Sequence, residues 1–163
     1  MKQAVYLSLG SNTGDRETNL RSAINKLGDL GDVTAVSSLF ETEPVEFTDQ
    51  PWFLNCVVAM ATDLPPEALL AKLLAIEQQL GRQRTRPKGP RLIDIDILLF
   101  GDSVVRRPGL EIPHPAMQTR RFVLEPLAEI APAVRHPILQ RTARELLEQL
   151  PRDGAQVQKI AKL

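Results

Sequence analysis

The sequence predicts an α+β sandwich of the ferredoxin-like type: an antiparallel four-stranded core sheet with two helices packed on one face, and a C-terminal extension. Three observations carry this. Short apolar runs with strand-like alternation recur at residues 5–9, 33–39, 53–61 and 89–100. Two stretches with helical spacing lie between them, around Leu20, Ala23, Ile24 and Leu27, and around Leu69, Leu73, Ile76 and Leu80. The resulting order, βα, ββ, α, β, is that of split βαβ units. A chain of 163 residues suffices for one domain with a substantial core, so residues 1–163 are read as a single domain.

Each element has its own signal. Val5 to Leu9 alternates apolar and small residues. Gly10-Ser11-Asn12-Thr13-Gly14-Asp15-Arg16 then reads as a turn cluster. Two roles stand for it: an anion cradle at a helix N-terminus, or a plain turn with Asp15 near the N-cap. It lacks the Gly-Lys-Ser/Thr ending of a Walker A loop. Gly28 and Gly31 punctuate the end of the first helix. Val33 to Leu39 is a second strand, Thr42 to Pro51 a loop broken by Pro44 and Pro51, and Phe53 to Ala61 a third strand. Pro65-Pro66-Glu67 opens the second helix, because proline is tolerated in a first turn. That helix runs to Gly81. After the strand ending at Phe100, Gly101-Asp102 suits a tight turn and Val104-Val105 a hairpin arm. Ile112-Pro113-His114-Pro115 is a rigid extended loop. Arg121 to Ile130 is a helix stopped near Pro132, Ala143 to Leu150 a last short helix, and the tail from Pro151 surface material.

Bulk properties narrow the function. Lysine plus arginine and aspartate plus glutamate both number 20, so no global field favours nucleic acid. No apolar run approaches the ~20 residues that span a bilayer, and the N-terminus turns directly into a strand rather than a signal peptide. Cys56 is the one cysteine, which excludes an intrachain disulfide and places it in the core run Leu54 to Met60. A cytoplasmic location is expected. Charge is uneven locally: Arg82, Arg84, Arg86, Lys88 and Arg91 share residues 82–91 with no acid, which suits a small polyanion.

The most informative stretch is Gly89-Pro90-Arg91-Leu92-Ile93-Asp94-Ile95-Asp96-Ile97-Leu98. Residues two apart on a strand share a face, so Asp94 and Asp96 project together, opposite Ile93, Ile95 and Ile97. Paired carboxylates repel unless a cation lies between them. A hard divalent ion with oxygen ligands fits, and Mg²⁺ typically takes one or two carboxylates plus substrate phosphates. The other reading is a solvated edge of an amphipathic strand. Arg82 sits just past a helix end and Arg91 just before this strand, so both suit the flanks of a phosphate chain, whose oxygens arginine grips bidentately. Alternation puts Phe53, Asn55 and Val57 on one face. The Asn55 amide suits the edge of a flat heterocycle, with Phe53 stacking nearby, or else a neighbouring backbone group. His114, between two prolines, suits a phosphate contact or loop packing, and His136 a structural role.

Together these residues resemble the 6-hydroxymethyl-7,8-dihydropterin pyrophosphokinase family. The resemblance runs from Leu9-Gly10-Ser11-Asn12 to Ile130-Ala131-Pro132. Its most specific parts are Gly81-Arg82-x-Arg84, Gly89 to Leu98, and Pro113-His114-Pro115 through Arg120-Arg121-Phe122-Val123. The resemblance implies transfer of pyrophosphate from MgATP to the pterin hydroxymethyl group with release of AMP. It implies that Asp94 and Asp96 bind two Mg²⁺ ions and that Arg82 and Arg91 neutralise the transferring group, with Arg84 assisting. His114 and Arg120 hold ATP phosphates, while Ile97 and the second helix, including Glu77, line the nucleotide side. Phe53 and Phe122 sandwich the pterin, Asn55 bonds its edge, and Thr42, Glu43 and Val45 complete its pocket. The expected partners are these two small molecules, with no nucleic acid, no membrane and a monomeric chain.

Three positions depart from the family pattern. Lys88 stands where some members carry tryptophan, Phe53 where tyrosine is common, and Gly109 where some members place an arginine that Arg106 or Arg107 would replace. Two other classes compete: a nucleic-acid-binding module resting on the arginine loop, and a non-catalytic pterin or nucleotide sensor. The paired aspartates beside that loop count against the first, and intact Asp94, Asp96, Arg82 and Arg91 against the second.

Overall fold

The computed structural model describes residues 2–43, 51–81, 92–151 and 157–161. The sheet forms because β1 (Gln3–Ser11), β4 (Phe53–Thr62) and β5 (Asp94–Phe100) each supply an alternating run long enough to bury one face. β1 is central, antiparallel to β4 over its whole length and to β5 on its other side. The outer edge of β4 is shared by β2 (Asp32–Val36) and β3 (Leu39–Thr42), and β8 (Val157–Ala161) pairs with β3.

The ferredoxin-like expectation therefore holds for the antiparallel core, and three details differ. The expected single strand 33–39 is split. Ser37 exchanges bonds with Val57, its N–H donating to the Val57 carbonyl and its Oγ accepting from the Val57 N–H, both at 2.9 Å. Ser38 donates from N–H and Oγ to the Glu129 carboxylate. Both serines thus spend their polar groups at a bend. The tail is exposed, as expected of surface material, yet also pairs with β3 as β8, whose Lys159 is ion-paired to Glu129 at 2.8 Å. The two expected helices share one face, and two later helices add a layer on the other.

On the first face, α1 (Arg16–Leu27) and α2 (Pro66–Gln79) bury Leu20, Ala23, Leu27, Leu69, Leu73 and Ile76 against Leu7, Leu9, Cys56, Val58, Ile95 and Ile97. On the second face, α3 (Arg121–Ile130) and α4 (Ala143–Glu148) bury Val123, Leu124, Leu127, Ala143 and Leu146 against Val57, Leu98 and Leu99. α4 starts in a capping box, with Thr142 Oγ1 accepting from the Glu145 N–H while Glu145 accepts from the Thr142 N–H. The hairpin β6 (Val105–Arg107) and β7 (Leu110–Ile112) follows β5. His136 is structural: its buried Nδ1 accepts from the Ile138 and Leu139 N–H groups. Among the described residues no helix is long and apolar enough to cross a membrane.

The β1–α1 connection is a structural turn. Gly14 takes a positive φ of 69°. Asp15 caps α1 by accepting from the Thr18 N–H at 3.1 Å, so the helix N-terminus already holds a carboxylate. Gly10 and Ser11, expected in that turn, instead extend β1 and pair with Asn55 and Leu54.

Candidate active site

α3 and α4 cover only part of the second sheet face. The remainder mixes polar groups with Phe40 and Phe53, and the strand register fixes its layout. Asp94 on β5 stands opposite Gly10 on β1, Gly10 opposite Asn55 on β4, and Asn55 opposite Phe40 on β3. With strands ~4.8 Å apart, the Asp94 and Asn55 backbones lie about 10 Å apart across a residue with no side chain. The next row places Asp96 opposite Ser8 and Ser8 opposite Val57.

The amide end of this row is built tightly. Asn55 is buried, and its Nδ2 donates to Thr42 Oγ1 at 2.7 Å. Its Oδ1 leans over Gly10, where a Cβ would sit at 2.8 Å from it. Phe53 borders the same spot, its Cδ1 lying 3.5 Å from that Cβ position. Glu43 follows β3 and is half-buried.

At the other end, Asp94 and Asp96 are both partly exposed, while Ile93, Ile95 and Ile97 are buried in the main core as the alternation requires. β5 is a sheet edge, so some of its outward N–H groups need partners other than a strand. Glu77 on α2, 2 % exposed, supplies one: its Oε2 accepts from the Ile95 N–H at 2.7 Å, between the two aspartates. Glu77 was expected to line the nucleotide side; this oxygen also anchors the aspartate strand. Among the described residues no three His, Cys, Asp or Glu side chains group to hold a metal. Two oxygen-donor carboxylates on one face fit a hard divalent ion that takes its remaining ligands from phosphate and water.

Beside Asp96 opens a cleft of about 260 Å³ lined by Leu70, Ile95, Ile97, Leu110 and His114. This volume lies just below the ~300 Å³ lower bound usual for small-molecule pockets. His114 follows the cis Ile112–Pro113 bond, and its N–H donates to the Leu98 carbonyl at 2.9 Å. Its Nδ1 accepts from the Ala116 N–H at 3.1 Å, which leaves the proton of the neutral ring on Nε2. Burial first, then the Arg120 charge, hold its pKa down at about 4, while Asp94 opposes the shift. Arg120 and Asp94 are thus both within electrostatic reach of His114. The Arg120 guanidinium also lies 5.6 Å from the Phe122 ring centroid, at the start of α3.

Residues 6–132 match the family model of 7,8-dihydro-6-hydroxymethylpterin-pyrophosphokinase. The chain belongs to the 7,8-dihydro-6-hydroxymethylpterin-pyrophosphokinase family. It is 48% identical over 136 residues to the 2-amino-4-hydroxy-6-hydroxymethyldihydropteridine pyrophosphokinase of Bacillus subtilis, covering 82% of this chain and 81% of that protein. It is 42% identical over 151 residues to the folic acid synthesis protein fol1 of Schizosaccharomyces pombe, covering 91% of this chain but only 21% of the relative. The fold is also that of the crystal structure of Plasmodium falciparum HPPK-DHPS wild type with pterin and p-hydroxybenzoate. The TM-score is 0.73 at 18% identity, covering 91% of this chain and 42% of that one.

Within this pyrophosphokinase fold the expected site residues fall into two groups. Asp94, Asp96, Ile97, His114 and Arg120 gather around the cleft end, and Thr42, Phe53 and Asn55 around the amide end. Val45, Arg82, Arg84 and Arg91, with Lys88, lie outside the described residues. Of the arginines considered to replace one at Gly109, Arg107 is ion-paired to Glu67 on α2, and Arg106 stands opposite Glu111 in the hairpin. Sequence reasoning missed Gly10 and Ser8 as parts of the site. The available signal was their position: each lies two residues from the other on a strand flanked by both functional strands.

Proposed function

We propose that this chain transfers pyrophosphate from ATP to the hydroxymethyl group of 6-hydroxymethyl-7,8-dihydropterin, giving AMP and the pterin diphosphate for folate biosynthesis. Family membership supports the reaction, and one observation supports its layout. Carboxylates for a phosphate-bound cation and an amide for a heterocycle edge face the same way on either side of Gly10. Substrates held at the two ends meet over bare backbone.

The family's ATP chemistry calls for a divalent metal, and the donor set at Asp94 and Asp96 suits two Mg²⁺ ions shared with the phosphates. When bound, such ions neutralise phosphate charge and hold the chain in line for attack. Glu77 keeps the strand between those aspartates in register. His114, neutral with Nε2–H free of the Ala116 contact, donates to a phosphate oxygen, and Arg120 adds a permanent charge. The purine occupies the cleft beside Ile97. Asn55, oriented by Thr42, reads the pterin edge, with Glu43 and Val45 beside it and Phe53 and Phe122 against its faces. Arg82 and Arg91 neutralise the transferring group, with Arg84 assisting. The working unit is a cytoplasmic, monomeric enzyme in which residues 1–163 form one domain.

Incubation with MgATP and the hydroxymethyl pterin tests this. One AMP per pterin diphosphate is expected. ADP as the product, or no nucleotide turnover, refutes the reading.

A further inference from the structure

The β1–α1 turn carries an arginine that none of these roles uses. Arg16, the first residue of α1, reaches one acceptor on β3 and one immediately ahead of β4. Its Nη1 donates to the Trp52 carbonyl at 2.9 Å, and its Nη2 donates to Glu41 Oε2 at 2.8 Å. From the same turn, Asn12 Nδ2 donates to the Pro51 carbonyl at 3.2 Å. Glu41 immediately precedes Thr42, and Trp52 immediately precedes Phe53. Thr42 and Phe53 face each other in the β3–β4 ladder. The guanidinium therefore bridges the two strands at the rung that frames the Asn55 amide.

Alternation also fixes the side of the sheet. Glu41 and Leu54 form a cross-strand pair, and Leu54 is buried in the core beneath α1 and α2. Thr42, Phe53 and Asn55 project from the opposite face. Arg16 thus grips the pocket's two strands from behind and stays clear of both substrate positions. The ion pair is sheltered, its side chains 29% and 27% exposed, unlike the Arg21–Glu17 pair on the same helix at 54% and 49%. A guanidinium suits this place, because its planar fork holds two acceptors at a fixed separation, whereas an ammonium is a point charge without that fork.

We propose that Arg16 is a positioning residue for the pterin pocket. By tying Glu41 to the Trp52 carbonyl it sets the separation of Thr42 and Phe53, and through Thr42 the orientation of the Asn55 amide. This rests on the function proposed above. The test uses the full chain as Arg16→Met, Arg16→Lys and Glu41→Gln, with Arg21→Met as a control. Calorimetry measures pterin Kd at a saturating non-hydrolysable MgATP analogue and, separately, the Kd of that analogue. Arg16→Met is expected to raise pterin Kd about tenfold, the scale of one charge-assisted hydrogen bond, and to change nucleotide Kd less than twofold. Arg16→Lys and Glu41→Gln fall between wild type and Arg16→Met, and Arg21→Met matches wild type. Should Arg16→Met fail to fold by circular dichroism, Glu41→Gln carries the same comparison. Unchanged pterin Kd in a folded variant, or equal weakening of both ligands, overturns the positioning role. Wild-type protein that binds neither ligand refutes the functional reading instead.

Discussion

Replacing Gly10 by alanine probes the site at its tightest point. The added Cβ would stand 2.8 Å from Asn55 Oδ1, against 3.4 Å for an ordinary contact, so the amide must yield by 0.6 Å. It cannot slide along the sheet. Away from Gly10 lies Thr42, whose Oγ1 is already 2.7 Å from Asn55 Nδ2. The amide must swing out of line and give up that bond. Losing a buried hydrogen bond costs about 1–3 kcal/mol, while removing a glycine from a strand interior returns about 0.5–1 kcal/mol. Stability therefore falls by no more than about 2.5 kcal/mol. Pterin recognition loses the oriented amide, worth roughly 2 kcal/mol, or on the order of thirtyfold in Kd. Titration of pterin at a saturating non-hydrolysable MgATP analogue reads this directly, with the nucleotide Kd as internal control. A folded Gly10→Ala protein whose pterin Kd stays within twofold of wild type refutes the packing argument.

Other perturbations separate the remaining parts of the account. Asp96→Ala should lower kcat by roughly 10²–10³, the scale of several kcal/mol of lost charge stabilisation, without a comparable loss of melting temperature; retained turnover in a folded variant removes the metal role. Glu77→Ala orphans the Ile95 N–H and should cost about 1–3 kcal/mol in a denaturant melt, and an unchanged midpoint contradicts the strand-anchor role. His114 is expected to titrate near pH 4 by NMR, neutral with its proton on Nε2 at pH 5. Its folded pKa lies below the unfolded value of 6.5, so its contribution to stability is full above pH 6.5 and is lost as pH falls from there toward 4. A midpoint near 6.5 contradicts this. Burial pushes the Cys56 thiol up to about 12, so it should resist a thiol reagent at pH 8 until the chain unfolds. Rapid native-state modification refutes that placement.

Much of the fold was legible because its core strands announce themselves. Ile93, Ile95 and Ile97 had to be buried, which left Asp94 and Asp96 together on the other side, and the structure has them so. Helix starts were equally readable: Asp15 caps α1 and Pro66 opens α2. What escaped lacked a local signal. β8 has no buried residue, and its strand exists through backbone pairing to β3 and the Lys159–Glu129 ion pair. The break at Ser37 and Ser38 depends on Val57 and Glu129, both distant in sequence. Gly10 carries a turn signature that pairing on both sides overrides. The later helices were readable as helices but not assignable to a face, because the face they cover is mixed. Val57, Leu98 and Leu99 call for an apolar cover, whereas Ser8, Asn55, Asp94 and Asp96 put polar groups on the same face.

The central claim is geometric: cation carboxylates and acceptor amide share one sheet face on either side of Gly10. Paramagnetic relaxation tests it most directly. Mn²⁺ replaces the native ion in a complex with a non-hydrolysable ATP analogue and pterin labelled with ¹³C at the hydroxymethyl carbon. The account predicts a manganese–carbon distance under about 10 Å, the span of the Asp94–Gly10–Asn55 row, and loss of the effect in Asp96→Ala. A bound pterin without relaxation enhancement, or enhancement that survives Asp96→Ala unchanged, contradicts it.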